Sequence, residues 1–265
     1  MAIHITQLGF EARLVSRVGA DELGTAARAE LGCRGLDINA VQIDPSAPTG
    51  SVQVYFEDNQ PKYRLAELAA WDRIELTVDV ARELKLAPAV VYGTLAQRTP
   101  LSSTQLRAAL ELAARAVRLC DLNVRHPYAT PEAIELALQY ATAVKLNATE
   151  AQVLRDLYAI RDVPEWLLAR GIKLVALTLD EHGSELYTPQ QRLVVPAFPL
   201  GSGFADAVGA GDAYSAVLAV HLALGSSLEI MGAAASRYAS AVVAQRGATP
   251  HIAQSVVDAV KPSRS

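Results

Sequence analysis

The sequence predicts an α/β fold: a mostly parallel sheet with helices on both faces, plus a small β-hairpin. Three observations lead there. Short apolar runs alternate with helix-patterned segments for most of the chain. Those helical segments carry their own start signals. One segment, 49–67, breaks the pattern with strict polar–apolar alternation around a turn. With 265 residues, 51% of them hydrophobic, the chain is long enough for one large core, and a single domain over 1–265 is expected.

In chain order, Ala12–Gly19 reads as a strand. Ala20–Gly35 reads as a helix, with Asp21 near its start and Gly32 near its end. Thr49–Glu67, "TGSVQVYFEDNQPKYRLAE", reads as a half-exposed hairpin. Buried strands are expected at Val90–Gly93, Leu119–Val124, Ala141–Asn147 and Lys173–Leu179. Between them, Ser103–Arg118 and Thr130–Ala141 have helical spacing and good helix formers. Each opens on a Ser or Thr, and Pro131 stands at the first turn of the second. A second hairpin is expected over Gly183–Pro196.

Composition excludes several classes. A net charge of -4 argues against a general nucleic-acid binder. The apolar C-terminal helices are broken by Gly, Asp, His or Arg before about 18 residues, so no membrane span is expected. Cys33 and Cys120 form neither a disulfide framework nor a metal spacing, which suits a reducing cytoplasm. His126, His182 and His221 show no metal spacing either.

The chemistry concentrates in "DAVGAGDAYSAVLAV", Asp206–Val220. Amides at a helix start have no intrahelical acceptor, and the helix dipole adds positive charge there. Glycines let that backbone approach an anion closely. Gly209, Ala210 and Gly211 therefore make a phosphate cradle, and Asp212 falls in the first turn as a base for an attacking hydroxyl. Taken alone, the same pattern is also an ordinary Gly-rich turn with a first-turn acid. It is neither a P-loop nor a dinucleotide fingerprint.

"DAVGAGD" resembles the C-terminal signature of the ribokinase-like (PfkB) carbohydrate kinases, and further matches follow in family order. "LVSRVGADELG" is similar to the early strand–helix segment and "APTGSVQVYF" to the lid hairpin. "VVYGTLAQR" and "DLNVRHPY" resemble the fructokinase-type branch. "KLNATE" resembles the N-x-x-E segment and "LTLDEHGS" the nucleotide-side turn. The resemblance implies an ATP-dependent sugar kinase with Asp212 as base and the Gly209, Ala210 and Gly211 amides as anion hole. Asn147 and Glu150 would help hold Mg²⁺ and phosphates, partly through water. Thr178 and Gly183 would lie along the nucleotide. Gln245–Pro250, with Gly247, would border the adenine and share a monovalent-cation site, such as one for K⁺, with Asp206. Arg98, Asn123 and Arg125 would face the sugar, and the 49–67 hairpin would form a lid compatible with a homodimer.

Plainer readings stand beside these. Asn147 can cap the next helix, leaving Glu150 an exposed first-turn acid. Arg98 and Arg125 can form surface ion pairs. Tyr55, Phe56 and Tyr63 can roof a sugar or pack across the hairpin. The family pattern also fails in places. Ala207 replaces the signature threonine, and Val217 a small residue. Asp180 replaces a glycine in T-L-G-x-x-G, which is disfavoured if that position needs positive φ. Family members begin with a strand, a sugar-binding Asp and a Gly-Gly-x-x-x-N helix start. This chain opens on what resembles the end of that helix, about three dozen residues later. A non-catalytic nucleotide binder, or a nucleoside or other small-alcohol kinase, is the alternative.

Overall fold

The computed structural model describes residues 1–57, 60–200 and 203–262, with residues 54–57 and 60–63 described by backbone alone. Tyr55, Phe56 and Tyr63 therefore lie outside the described side chains. In chain order the elements begin with α1 (Ala2–Gln7), β1 (Ser16–Gly19), α2 (Glu22–Cys33), β2 (Val41–Asp44), β3 (Val52–Glu57) and β4 (Gln60–Leu65). Next come α3 (Val78–Leu84), β5 (Ala89–Tyr92), α4 (Pro100–Leu112), β6 (Val117–Asp121), α5 (Pro131–Tyr140), β7 (Ala143–Asn147), α6 (Ala148–Tyr158) and α7 (Val163–Ala169). The chain closes with β8 (Leu174–Thr178), β9 (Ser184–Tyr187), β10 (Arg192–Val195), α8 (Ala210–Ala223), α9 (Leu228–Val243) and α10 (Gln254–Val260).

The main sheet has the order β10-β9-β8-β7-β6-β5. Strands β5 to β8 run parallel, and β9 and β10 add antiparallel at the far edge. Alternate residues of a strand point to opposite faces, so each central strand feeds two cores. Leu119, Ala143, Leu174 and Ala176 pack with α8, α9 and α10. Cys120, Val144, Leu146 and Val175 pack with α5, α6 and α7 on the other face. The expected strands, hairpins and two-faced helical cover are all present.

Local chemistry sets the boundaries. Thr130 Oγ1 accepts the Ala133 amide and Pro131 starts α5, as the sequence indicates. The helix expected over 103–118 is shifted toward the N-terminus. Thr99 caps it by accepting the Ser102 amide, Pro100 opens it, and it ends at Leu112. Val117 and Arg118 belong instead to β6, where they pair with Ala89 and Val90. The Ala-rich run 113–116 has helical propensity, but the parallel ladder overrides it.

The sheet is divided. β1 and β2 form a separate two-stranded parallel sheet, and β3 and β4 form the hairpin. Among the described residues β5 is paired only with β6, and β1 only with β2. Three of the four β5 residues are accordingly only half-buried, whereas four of the five in β7 are buried.

Candidate active site

The C-terminal ends of β6, β7 and β8 and the N-terminus of α8 meet at one end of the sheet, where open α/β sheets bind ligands. Gly209 caps α8 in the left-handed region at φ 85°. A Cβ added there would lie 2.3 Å from the Ala248 carbonyl oxygen. Only glycine fits, and the tight approach sets the start of the helix against the 245–250 loop. The Ala210 amide donates to the Ala207 carbonyl at 3.2 Å, so it is not a free donor. The amides of Gly209, Gly211 and Asp212 have no acceptor among the described residues. They are the unpaired positive end of α8. The Asp212 side chain is half-open, at 47% exposure, with Oδ2 3.5 Å from the Met1 α-amino group.

Asn147 and Glu150 are joined. Asn147 Oδ1 accepts the Glu150 amide at 2.8 Å, and Glu150 Oε2 accepts the Asn147 amide at 2.9 Å. This reciprocal cap opens α6. Glu150 Oε1 also accepts the Val124 amide at 3.2 Å, which ties the β6 exit to the β7 exit. Glu150 is 4% exposed, not the solvent-facing acid that the plainer reading expects. Burial holds its carboxyl above the ordinary range, against the opposing pull of Lys145 and the Asn147 amide.

Thr178 ends β8 in register with Asn147 on one side and Ser184 on the other. Asp180 follows at φ 49°, so the position that is glycine in the family pattern does adopt the left-handed region here. Gly183, at φ 90°, turns the chain into β9. Asp206 Oδ1 accepts the Val208 amide at 3.0 Å, and Oδ2 accepts the Gly247 amide at 3.2 Å. Those two amides hold its carboxyl below the ordinary range. Asp206 and the 245–250 loop are thus brought together, as the resemblance implies.

The three substrate-side candidates differ. Asn123 sits just past β6 at φ 43°, an uncommon conformation for a non-glycine residue and one found often at ligand sites. Arg125 is exposed and donates to its neighbour's carbonyl, Val124 O, at 2.9 Å. Arg98 is buried. Its Nε and Nη2 donate to the two Asp72 carboxylate oxygens at 2.6 and 2.7 Å, and Nη2 also donates to Ala66 O at 2.5 Å. Its guanidinium lies between Trp71 and Tyr128, 5.4 and 4.9 Å from the ring centroids. Arg98 therefore joins the hairpin's exit, the 70–73 turn and the loop after β6.

One buried pair at this end is not among the residues that the sequence motifs single out. Lys145 and Asp121 form a buried ion pair, Nζ to Oδ1 3.2 Å, and Ser215 of α8 donates to Asp121 Oδ2 at 2.7 Å. The available signal was a lysine inside the otherwise apolar "ATAVKLN" strand.

A parallel sheet whose C-terminal edge faces a glycine-capped, acid-bearing helix start defines a phosphotransferase type of site. The chain belongs to the pfkB family of carbohydrate kinases, whose profile matches residues 1–254. It is 29% identical over 229 residues to a rice fructokinase-1, covering 82% of this chain and 70% of that one. It is 25% identical over 260 residues to an uncharacterized sugar kinase of Pyrococcus horikoshii, covering 94% and 80%. The crystal structure of a fructokinase from Xylella fastidiosa with bound ATP superposes with a TM-score of 0.88 at 18% identity, covering 98% and 87%. No helix among the described residues is long and apolar enough to cross a membrane.

Proposed function

We propose that the chain transfers the γ-phosphoryl group of ATP to a hydroxyl of a sugar, a fructokinase-like hexose first. The observation that carries this reading is the start of α8: free Gly209 and Gly211 amides beside a solvent-accessible Asp212 carboxylate. Asp212 takes the proton of the attacking hydroxyl. The amides face the phosphoryl oxygens, with Ala210 completing the turn. Thr178, Gly183 and Gly247 border the nucleotide. Asn123 and Arg125 face the sugar, and Arg98 serves that side by fixing Tyr128 and the hairpin exit. The 52–65 hairpin covers the site and excludes water, and it is the element through which a homodimer would form.

The residues fit Mg²⁺ carried mainly by phosphate and water. Both Glu150 oxygens already accept backbone amides, and no cluster of three acidic, His or Cys side chains occurs among the described residues. Asn147 and Glu150 would orient that hydrated ion, which neutralises charge on the phosphates. Asp206 and the 245–250 carbonyls are the place for a monovalent cation such as K⁺.

A second reading, nucleotide binding without sugar turnover, is favoured by Asp180, an added carboxylate at the nucleotide-side turn where the family pattern has glycine. ADP release with Mg-ATP and a panel of fructose, other hexoses, ribose and inosine separates the readings. Release with one hexose supports the sugar kinase, and release with inosine alone supports a nucleoside kinase. ATP binding without release under any acceptor supports the second reading.

A further inference from the structure

The ion pair beneath α8 has a direction. Asp121 and Lys145 are register partners on β6 and β7 and share the sheet face that α8 covers. Lys145 is 5% exposed, Asp121 6% and Ser215 fully buried. A Cβ added at Gly211 would lie 2.9 Å from Lys145 Nζ and 3.9 Å from Cε, with no Asp121 atom within 4 Å. The ammonium therefore sits under the first turn of α8. The carboxylate is drawn to Ser215, four residues further along the helix. The pair is a buried dipole with its positive end at the cradle, parallel to the dipole of the helix above it.

Burying two charges costs desolvation that their attraction does not reliably offset. A well-packed apolar pair would serve the core as well. We infer that Lys145 is a positioning residue of the phosphoryl cradle. Its ammonium holds fixed positive charge behind Gly211, so that charge developing on the transferring group meets an already oriented field. The inference rests on the phosphotransferase reading of the same site. In the step, the acceptor oxygen bonds to the γ-phosphorus, and the bond to the β,γ-bridging oxygen breaks. That bond's electron pair leaves with ADP. The hydroxyl proton goes to Asp212, and Lys145 keeps all its protons. Glycine at 211 follows, since any side chain would push the ammonium away.

The test compares Asp121→Asn with Asp121→Asn/Lys145→Met. The first keeps the positive charge, and the second is neutral and leaves no unpaired charge buried. Calorimetry gives their affinities for Mg-ADP alone and for Mg-ADP with aluminium fluoride, a planar mimic of the group in flight; thermal unfolding confirms that each is folded. The single variant should hold the mimic within about threefold of wild type. The double variant should bind ADP within about threefold but lose about 30- to 100-fold for the mimic. Its kcat should fall equally while KM for the sugar stays unchanged. Equal mimic affinity in the two variants overturns the inference, because a purely structural pair predicts that equality. Wild type that binds the mimic but turns over no sugar would sink the sugar-kinase reading alone. Wild type that does not bind the mimic would sink both.

Discussion

Gly209→Ala tests whether the cradle is built by the contact between the start of α8 and the 245–250 loop. Two costs add. The residue sits at φ 85°, where a Cβ is opposed by about 1–2 kcal/mol. The new methyl would also stand 2.3 Å from a backbone carbonyl, Ala248 O, which is itself pinned by the His4 ring at 3.0 Å. Relieving that contact requires a shift of about 1 Å, and forced overpacking of this kind costs about 1–3 kcal/mol. The sum, about 2–5 kcal/mol, is a large part of a typical net stability of about 5–15 kcal/mol. Gly171→Ala isolates the first cost. Gly171 has φ 88° with nothing within 4 Å of an added Cβ. Urea denaturation should show about 1–2 kcal/mol lost in Gly171→Ala with unchanged turnover. Gly209→Ala should lose at least 1 kcal/mol more, and its turnover should fall about 100-fold from misplacing the cradle. Equal losses in the two variants, with normal turnover in both, would mean that the contact with Ala248 does not shape the cradle.

Other consequences are as direct. Arg98→Met leaves Asp72 buried without its partner and should cost about 3–5 kcal/mol by denaturation; the Arg98→Met/Asp72→Leu double variant should recover most of it, and a single-variant loss under 1 kcal/mol would contradict the buried-pair account. Glu150→Ala strands the Val124 and Asn147 amides and should cost about 2–3 kcal/mol together with weaker Mg-ATP binding; unchanged stability would remove Glu150 from the framework. Acid should destabilise the fold through its buried histidines. Burial, with the Met1 ammonium second, lowers His4 to about 4, and burial lowers His221 as well. Both rings are neutral when folded, so their contribution is complete above about 6.5 and is lost as pH falls below it, for His4 through about 4. For His4 this amounts to about 3–4 kcal/mol. Tm should fall from pH 7 to 5, less steeply in His4→Gln, and a flat profile in wild type would contradict it.

Much of this was legible in the sequence, because period and punctuation carry local physics. Thr130–Pro131 gave the start of α5, and the alternation of 49–67 gave the hairpin. The "VGAGD" run gave the glycine-capped helix with its first-turn acid. The helix boundary at 112 was not legible, since Ala113–Ala116 favours a helix and only the pairing of Val117 with Ala89 ends it. Partners distant in sequence were hidden for the same reason. Asp121 for Lys145 is set by strand order, and Asp72 for Arg98 by how the 70–73 turn meets the loop after β5; spacing along the chain encodes neither. Arg98 followed a strand, as a ligand-bearing loop residue would, yet tertiary packing drew it between two aromatic rings. The separation of β1 and β2 from the main sheet is likewise a matter of which strands meet.

Everything proposed for the site turns on Asp212 acting as the base of a sugar kinase. Sugar-dependent ADP release by wild type and by Asp212→Asn, each with ATP affinity measured alongside, tests it most directly. Wild type should release ADP with a hexose, and the rate should fall at least about 100-fold in the variant while ATP binding is kept. A variant that binds ATP and releases ADP at the wild-type rate would contradict it.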